Sequence, residues 1–209
     1  MAETTTPGLF ITFEGGDGSG KSTQSALLTE WLTAEGHTVV HSREPGGTDL
    51  GVELRNIVLH RRGHIAPRAE ALLYAADRAH NIATKVRPAI EAGSIVVQDR
   101  YLDSSIAYQG AGRVLNADEI LTISSWATEG LLPDLTILLD LDPAVGRARI
   151  AGGAYDRLEE EVDEFHIRVR ESYLALAAAD PQRFLVLDAA RPVEYLAASI
   201  RARVSALLT

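Results

Sequence analysis

The chain has no cysteine, which excludes disulfides and thiolate metal sites and gives no sign of an oxidising compartment. A cytoplasmic setting is therefore the expectation. No apolar run approaches the roughly 20 residues of a membrane-spanning helix, so no membrane partner is expected. Nor does a secretory signal open the chain, since Met1 to Gly8 reads as a short, flexible polar tail. Lysine is almost missing, with Lys21 and Lys85 set against 18 arginines. Acidic residues nevertheless prevail to a net charge of −9, the wrong sign for a general nucleic-acid binder. Arginine's planar fork suits bidentate phosphate contacts, so several arginines can line an anion pocket inside an acidic protein while most sit on solvated helix faces. Repeats and linkers are absent too. With 46% hydrophobic and 23% charged residues, residues 9–209 read as one globular domain.

What is present centres on Phe10 to Thr23. Phe10-Ile11-Thr12-Phe13-Glu14 alternates apolar and polar residues and is rich in strand-forming types. Gly15 to Ser22 fits G-x-x-x-x-G-K-[ST], and Leu27, Leu28, Trp31 and Leu32 then fall at helical spacing. Strand, glycine loop and helix form the setting in which this pattern cradles phosphate. Gly15, Gly16, Gly18 and Gly20 let successive N–H groups turn inward, with Asp17, Ser19 and Thr23 completing the loop. These donors and the positive helix end attract oligophosphates such as those of ATP. Lys21 would reach the β- and γ-phosphates, and the Ser22 hydroxyl would ligate Mg²⁺.

Further strands are expected over 37–42, 94–99, 135–142 and 183–188, and helices over 48–59 with Thr48 as N-cap, 68–91, 117–130, 143–152, 155–179 and 192–208. Residues 60–67 read as a polar link and 100–116 as irregular with some helix. Alternating strands and helices predict an α/β fold with a five-stranded parallel sheet flanked by helices. Ligands in such sheets gather beyond the carboxyl ends of the strands. Those ends are Gly15, Arg43-Glu44, Asp99-Arg100, Asp140 to Asp142 and Asp188, and all are expected around the glycine loop. Asp99 suits either an acid near the metal's water shell or a turn cap. Arg100 beside it suits a phosphate.

Asp99-Arg100-Tyr101-Leu102-Asp103-Ser104-Ser105-Ile106-Ala107-Tyr108-Gln109-Gly110 and Arg43-Glu44-Pro45-Gly46-Gly47-Thr48 resemble segments specific to the bacterial thymidylate kinase family. The loop start at Glu14, Pro133-Asp134-Leu135-Thr136, Leu139-Asp140 and Asp156-Arg157-Leu158-Glu159 match in the same order, so the resemblance covers about residues 9 to 205. It implies a three-layer P-loop NTPase fold with a short lid at about 147–160, and transfer of the ATP γ-phosphoryl group to dTMP with Mg²⁺. It also implies a homodimer. Arg55 and Arg100 would hold the dTMP phosphate, and Tyr74 would stack on thymine, where the family more often has Phe. Arg78, one helical turn on, would address a thymine carbonyl. Ser105 and Gln109 would meet the base edge, Tyr108 would crowd the sugar 2′ position, and Asp17 and Glu44 would lie near deoxyribose and metal. Read as residues alone, Tyr74 has a core aromatic on a long helix as its rival reading, and Ser105 and Gln109 are ordinary loop residues.

One departure stands out. Some members of that family carry an arginine in the glycine loop where this chain has Gly18, and others bring arginines from the lid. Here 150–156 has no basic residue. The expectation is that Arg149 and Arg157 close over ATP from two sides, hinged at Gly152-Gly153. Arg147, about half a helical turn from Arg149, points elsewhere. Two rival readings remain: a kinase for another nucleoside monophosphate, and a GTP-dependent switch. The latter needs N-K-x-D and a D-x-x-G beyond the loop, and the chain has neither.

Overall fold

The computed structural model describes residues 8–61, 63–152 and 156–208. Strands β1 (Phe10–Glu14), β2 (Val39–Arg43), β3 (Ile95–Asp99), β4 (Leu135–Asp140) and β5 (Phe184–Asp188) form one parallel sheet in the order β2-β3-β1-β4-β5. The helices are α1 (Lys21–Ala34), α2 (Asp49–Arg55), α3 (Pro67–Asn81), α4 (Arg87–Glu91), α5 (Leu102–Ser105), α6 (Ala117–Thr128), α7 (Pro143–Ile150), α8 (Asp163–Ala179) and α9 (Val193–Leu208).

The apolar run of β4 has its cause in this arrangement. A central parallel strand is covered on both faces, and Leu135, Thr136, Ile137, Leu138 and Leu139 are all buried. On one face, Leu28 and Leu32 of α1 and Ile200 and Val204 of α9 pack against Ile11, Phe13, Val97 and Ile137. On the other, Tyr173 and Phe165 of α8 pack with Leu138 and Phe184, while Phe10 and Val96 meet Tyr101, Ile82 and Ile120. Helices on both faces give the three-layer α/β architecture expected from the sequence. β1 lies in the middle, between β3 and β4, so the loop that follows it opens at the point where chain direction across the sheet reverses. That point is where such sheets form a crevice.

Several boundaries differ from the expectation. Residues 100–116 are more ordered than a loop: α5 runs into a π-helical stretch, Ile106–Gly112, that packs on α8. The long helix expected over 68–91 comprises α3, a π-helical Ile82–Val86 and α4. Expected helix at 156–162 is absent. Asp156 instead caps a turn with its side chain, accepting from the backbone N–H groups of Leu158 and Glu159. Side-chain capping of this sort competes with helix. Gly153 and Tyr155, and the tail through Pro7, lie outside the described residues.

Candidate active site

The glycine loop is shaped by contacts that no side chain would allow. Gly15 has φ +136°, and a Cβ there would lie 2.5 Å from the Leu139 carbonyl oxygen. Gly18 has φ +72°, and its Cβ would meet Gly146 O of α7 at 2.4 Å. The contact is reciprocal, because a Cβ on Gly146 would meet Asp17 O at 2.3 Å. Helix α7 thus sits backbone to backbone on the loop. Gly20 caps α1 in the left-handed region. The Lys21 ammonium donates to Gly16 O at 2.7 Å and lies 3.4 Å from Ser19 Oγ. Burial, and then Arg100, lower its pKa to about 8.

Beside the loop, Ser22 Oγ donates to Asp99 Oδ2 at 2.7 Å. Two hard oxygen donors next to a phosphate cradle suit Mg²⁺, which takes one or two protein ligands and keeps water and phosphate oxygens for the rest. Among the described residues, no group of three or more His, Cys, Asp or Glu could hold a metal by itself. Arg100 follows Asp99 with φ +67°, a conformation that β-carbon-bearing residues seldom adopt. Its guanidinium donates to Gly15 O (3.2 Å), Ser104 Oγ (3.3 Å) and Tyr108 Oη (3.2 Å) and pairs with Asp17. Tyr108 Oη also donates to Asp17 Oδ2 at 3.1 Å. Burial alone would raise the Asp17 carboxyl, but Arg100 and Lys21 hold it below its usual value.

Lys21, Ser22, Asp99 and Arg100 open into a cleft of about 460 Å³. Arg55, Tyr74, Arg78, Ser105, Tyr108 and Gln109 line it, as do Asp17, Gly18, Gly20, Thr23 and Glu44. Gly15, Gly16 and Ser19 lie behind this surface. Arg55 donates to Pro45 O at 2.9 Å, and the Glu44–Pro45 peptide is cis. Arg78 is held from three directions, by Glu44 Oε2 (2.8 Å), Tyr101 O (3.1 Å) and Ser124 Oγ (3.4 Å). Glu44 Oε1 accepts from Asn81 and Gln98, so the carboxylate is sealed inside the protein. Burial raises it to about 7 although Arg78 pulls the other way.

Only one of the two expected lid arginines stands at the loop. Arg149 donates to Gly18 O (3.2 Å) and Ala189 O (3.0 Å) and lines the cleft. Arg157 does not. It donates to Val58 O at 2.8 Å and pairs with the buried Glu70, one turn before Tyr74 on α3. Arg147 faces away, on Glu161 O and Asp163. The charged ends of β4 and β5 also stay out of the cleft: Asp140 is held by Arg170 at 2.7 and 3.0 Å, and Asp188 caps the backbone of Ala190.

Three buried groups escaped the sequence reading of the site. Glu14, closing β1, accepts from Tyr101 N (2.7 Å), Ser104 Oγ (2.6 Å) and Tyr173 Oη (2.9 Å). Burial, with Asp103 nearby, raises it to about 7. An acid ending an otherwise apolar strand was the available signal. Glu70 precedes Tyr74 by one turn on α3, so helical spacing could have found it. Tyr173 shares a core stripe with Phe165 and Val169, and nothing local separates it from ordinary packing.

Comparison with known proteins agrees with this geometry. The family model described as "Thymidylate kinase" matches residues 13–200. The chain is 70% identical over 202 residues to the thymidylate kinase of Leifsonia xyli subsp. xyli, covering 96% of each chain. It is 68% identical over 203 residues to that of Clavibacter michiganensis subsp. michiganensis, again covering 96% of each. The crystal structure of thymidylate kinase from Ehrlichia chaffeensis is similar with a TM-score of 0.79 at 30% identity, over 95% of this chain and 99% of that one.

Proposed function

The chain belongs to the thymidylate kinase family, and from that premise we propose that it transfers the γ-phosphoryl group of ATP to dTMP, giving dTDP and ADP. The observation that carries the reading is the single cleft. Lys21 of the glycine loop and Tyr74, Arg78 and Gln109 line that same cavity. A phosphate oxygen of dTMP forms a bond to the γ-phosphorus as the bond to the β,γ-bridging oxygen breaks, and the electron pair leaves with ADP. The acceptor is already an anion, so no general base is needed. Rate comes from alignment and charge stabilisation.

On this reading Lys21 and Arg149 meet charge on the transferring group, and Arg100 and Arg55 hold the acceptor phosphate. Arg149 is preferred over Arg157 because it already touches Gly18 O. Ser22 and Asp99 would hold Mg²⁺, which when bound neutralises phosphate charge. Tyr74 stacks on thymine, Arg78 donates to a ring carbonyl, and Ser105 and Gln109 meet the base edge. Tyr108, pinned by Asp17, excludes a 2′-hydroxyl. We read 9–209 as one domain in a cytoplasmic enzyme. Within the described residues no helix is long and apolar enough to cross a membrane.

For the homodimer, exposed Leu72 of α3 and Leu121 and Trp126 of α6 give an apolar surface, with Trp126 82% exposed. Sedimentation equilibrium should return twice the chain mass.

The test of the reaction is an ADP-release assay with ATP against each nucleoside monophosphate. The expected order is dTMP, then dUMP, with UMP, dCMP and purine nucleotides poor. A purine monophosphate with the higher kcat/KM would overturn the assignment.

A further inference from the structure

We propose that Glu70 is a positioning residue that sets which way the Gln109 amide faces, and thereby makes the base pocket read a ring N–H. The inference rests on the reading above that Gln109 meets the base edge. Glu70 has no exposed surface. Its Oε1 accepts from Gln109 Nε2 at 3.0 Å and from Arg113 Nε at 3.2 Å. Its Oε2 accepts from Arg113 Nη2 at 3.2 Å and from Arg157. Four donors fix the carboxylate as ionised, and an ionised carboxylate only accepts. Burial opposes ionisation, but the bonds from Arg113, Gln109 and Arg157 outweigh it and hold the group below its usual pKa.

An acceptor-only neighbour leaves the Gln109 amide one choice. Its Nε2 must turn to Glu70, so the amide presents its carbonyl oxygen to the cleft that it lines. Among the described residues no donor is bound to that oxygen. A carbonyl at the base edge pairs with the N3–H of thymine or uracil and meets the lone pair of cytosine N3 unfavourably. Ambiguity in an amide's orientation is thus removed by a charge that never touches the substrate.

The substitution Glu70→Gln tests this because the two arginines dictate how the new amide sits. Arg113 Nη2 and Arg157 both donate at the Oε2 position, so the single oxygen of the replacement belongs there. Its NH₂ then takes the Oε1 position, at the expense of the Arg113 Nε bond. Gln109 must flip to accept from it and offer NH₂ to the base. Arg78, which addresses the neighbouring ring position, is unchanged.

The expected result is a rise of at least tenfold in the ratio of kcat/KM for dCMP over dTMP, since a mismatched polar partner costs orders of magnitude. Arg113→Gln, which loosens the cluster but leaves the carboxylate, should lower activity and keep the wild-type ratio. An unchanged ratio in folded Glu70→Gln overturns the proposal, as does an equal rise in Arg113→Gln. Gln109→Leu separates the two layers: if it leaves the KM for dTMP and the ratio untouched, the base-edge reading itself is wrong. Should Glu70→Gln not fold, hydrogen exchange on the unaltered enzyme decides. The Gln109 side-chain amide protons, assigned by their loss in Gln109→Leu, should exchange at least tenfold more slowly than exposed glutamine amides in the dTMP complex. Exchange at the exposed rate would overturn the proposal.

Discussion

At the phosphate end of the cleft the work falls to backbone and short loops: Gly15 and Gly18 in conformations only glycine adopts freely, and Lys21 folded onto the loop's own carbonyl. Around Tyr74, at the end proposed to take the base, it falls to buried acids, Glu44 and Glu70, that gather arginines and amides from separate parts of the chain. The first end is built around one loop and the start of its helix, the second around buried carboxylates paired with arginines from distant segments. A loop of backbone donors can serve any oligophosphate, whereas discrimination among bases requires side chains whose orientation is fixed by other side chains. Generality and selectivity are therefore segregated along one cavity.

The largest expected effect lies at the phosphate end. Lys21→Ala should lower kcat by at least about a hundredfold, as expected for removal of a charge placed at the reacting group. Circular dichroism should report an intact fold. Arg149→Ala should come next, lowering kcat by roughly tenfold or more with little change in the KM for dTMP. Arg157→Ala should invert that split, raising KM more than it lowers kcat, because Arg157 acts on Glu70 at the base end. Steady-state kinetics of the two variants would erase the contrast if both behaved alike.

Glu44 and Lys21 also differ in the sign of their pH dependence. Glu44 is raised from 4.5 to about 7 in the folded protein. Its contribution to stability is fully present below about pH 4.5 and lost as pH rises through 7. Lys21 is lowered from 10.5 to about 8. Between those values the unfolded chain binds the proton and the folded one does not, so this contribution grows with pH. Urea denaturation without nucleotide should show a smaller loss of stability from pH 5 to 8 in Glu44→Gln than in wild type. From pH 8 to 10 it should show a smaller gain in Lys21→Ala. The smallest effect is expected for Arg147→Ala, whose pair with Asp163 is substantially exposed. Stability should change by under about 1 kcal/mol, and kcat by less than twofold.

The same division governs what the sequence could reveal. The strand-loop-helix, the five strands and the Ser22 and Asp99 positions follow from spacing, because local backbone chemistry dictates them. The reading that named Arg149 and Arg157 together places one of them, Arg149, at the loop. What could not be read was the partner of each buried charge. Arg157 was expected over ATP because the lid is adjacent in sequence. It goes instead to Glu70, 87 positions away, and no local pattern encodes that distance. Tyr173 reaching Glu14 across 159 positions is the same case. The strand-end rule overreached at Asp140 and Asp188, since the first is taken up by Arg170 of α8 and the second by the backbone of Ala190.

The meeting of Gly18 with Gly146 has a consequence for descent. A side chain at 18 would meet the Gly146 carbonyl and one at 146 would meet the Asp17 carbonyl, so neither position can acquire one first without its Cβ colliding with backbone. A loop arginine at position 18, as some family members carry, is therefore closed to a single substitution. The route would begin with α7 withdrawing from the loop, and α7 carries Arg149. A lineage on that route would give up its present arginine before it gained the other. The order in which mutations can arrive keeps this chain with Arg149 of α7 at the loop.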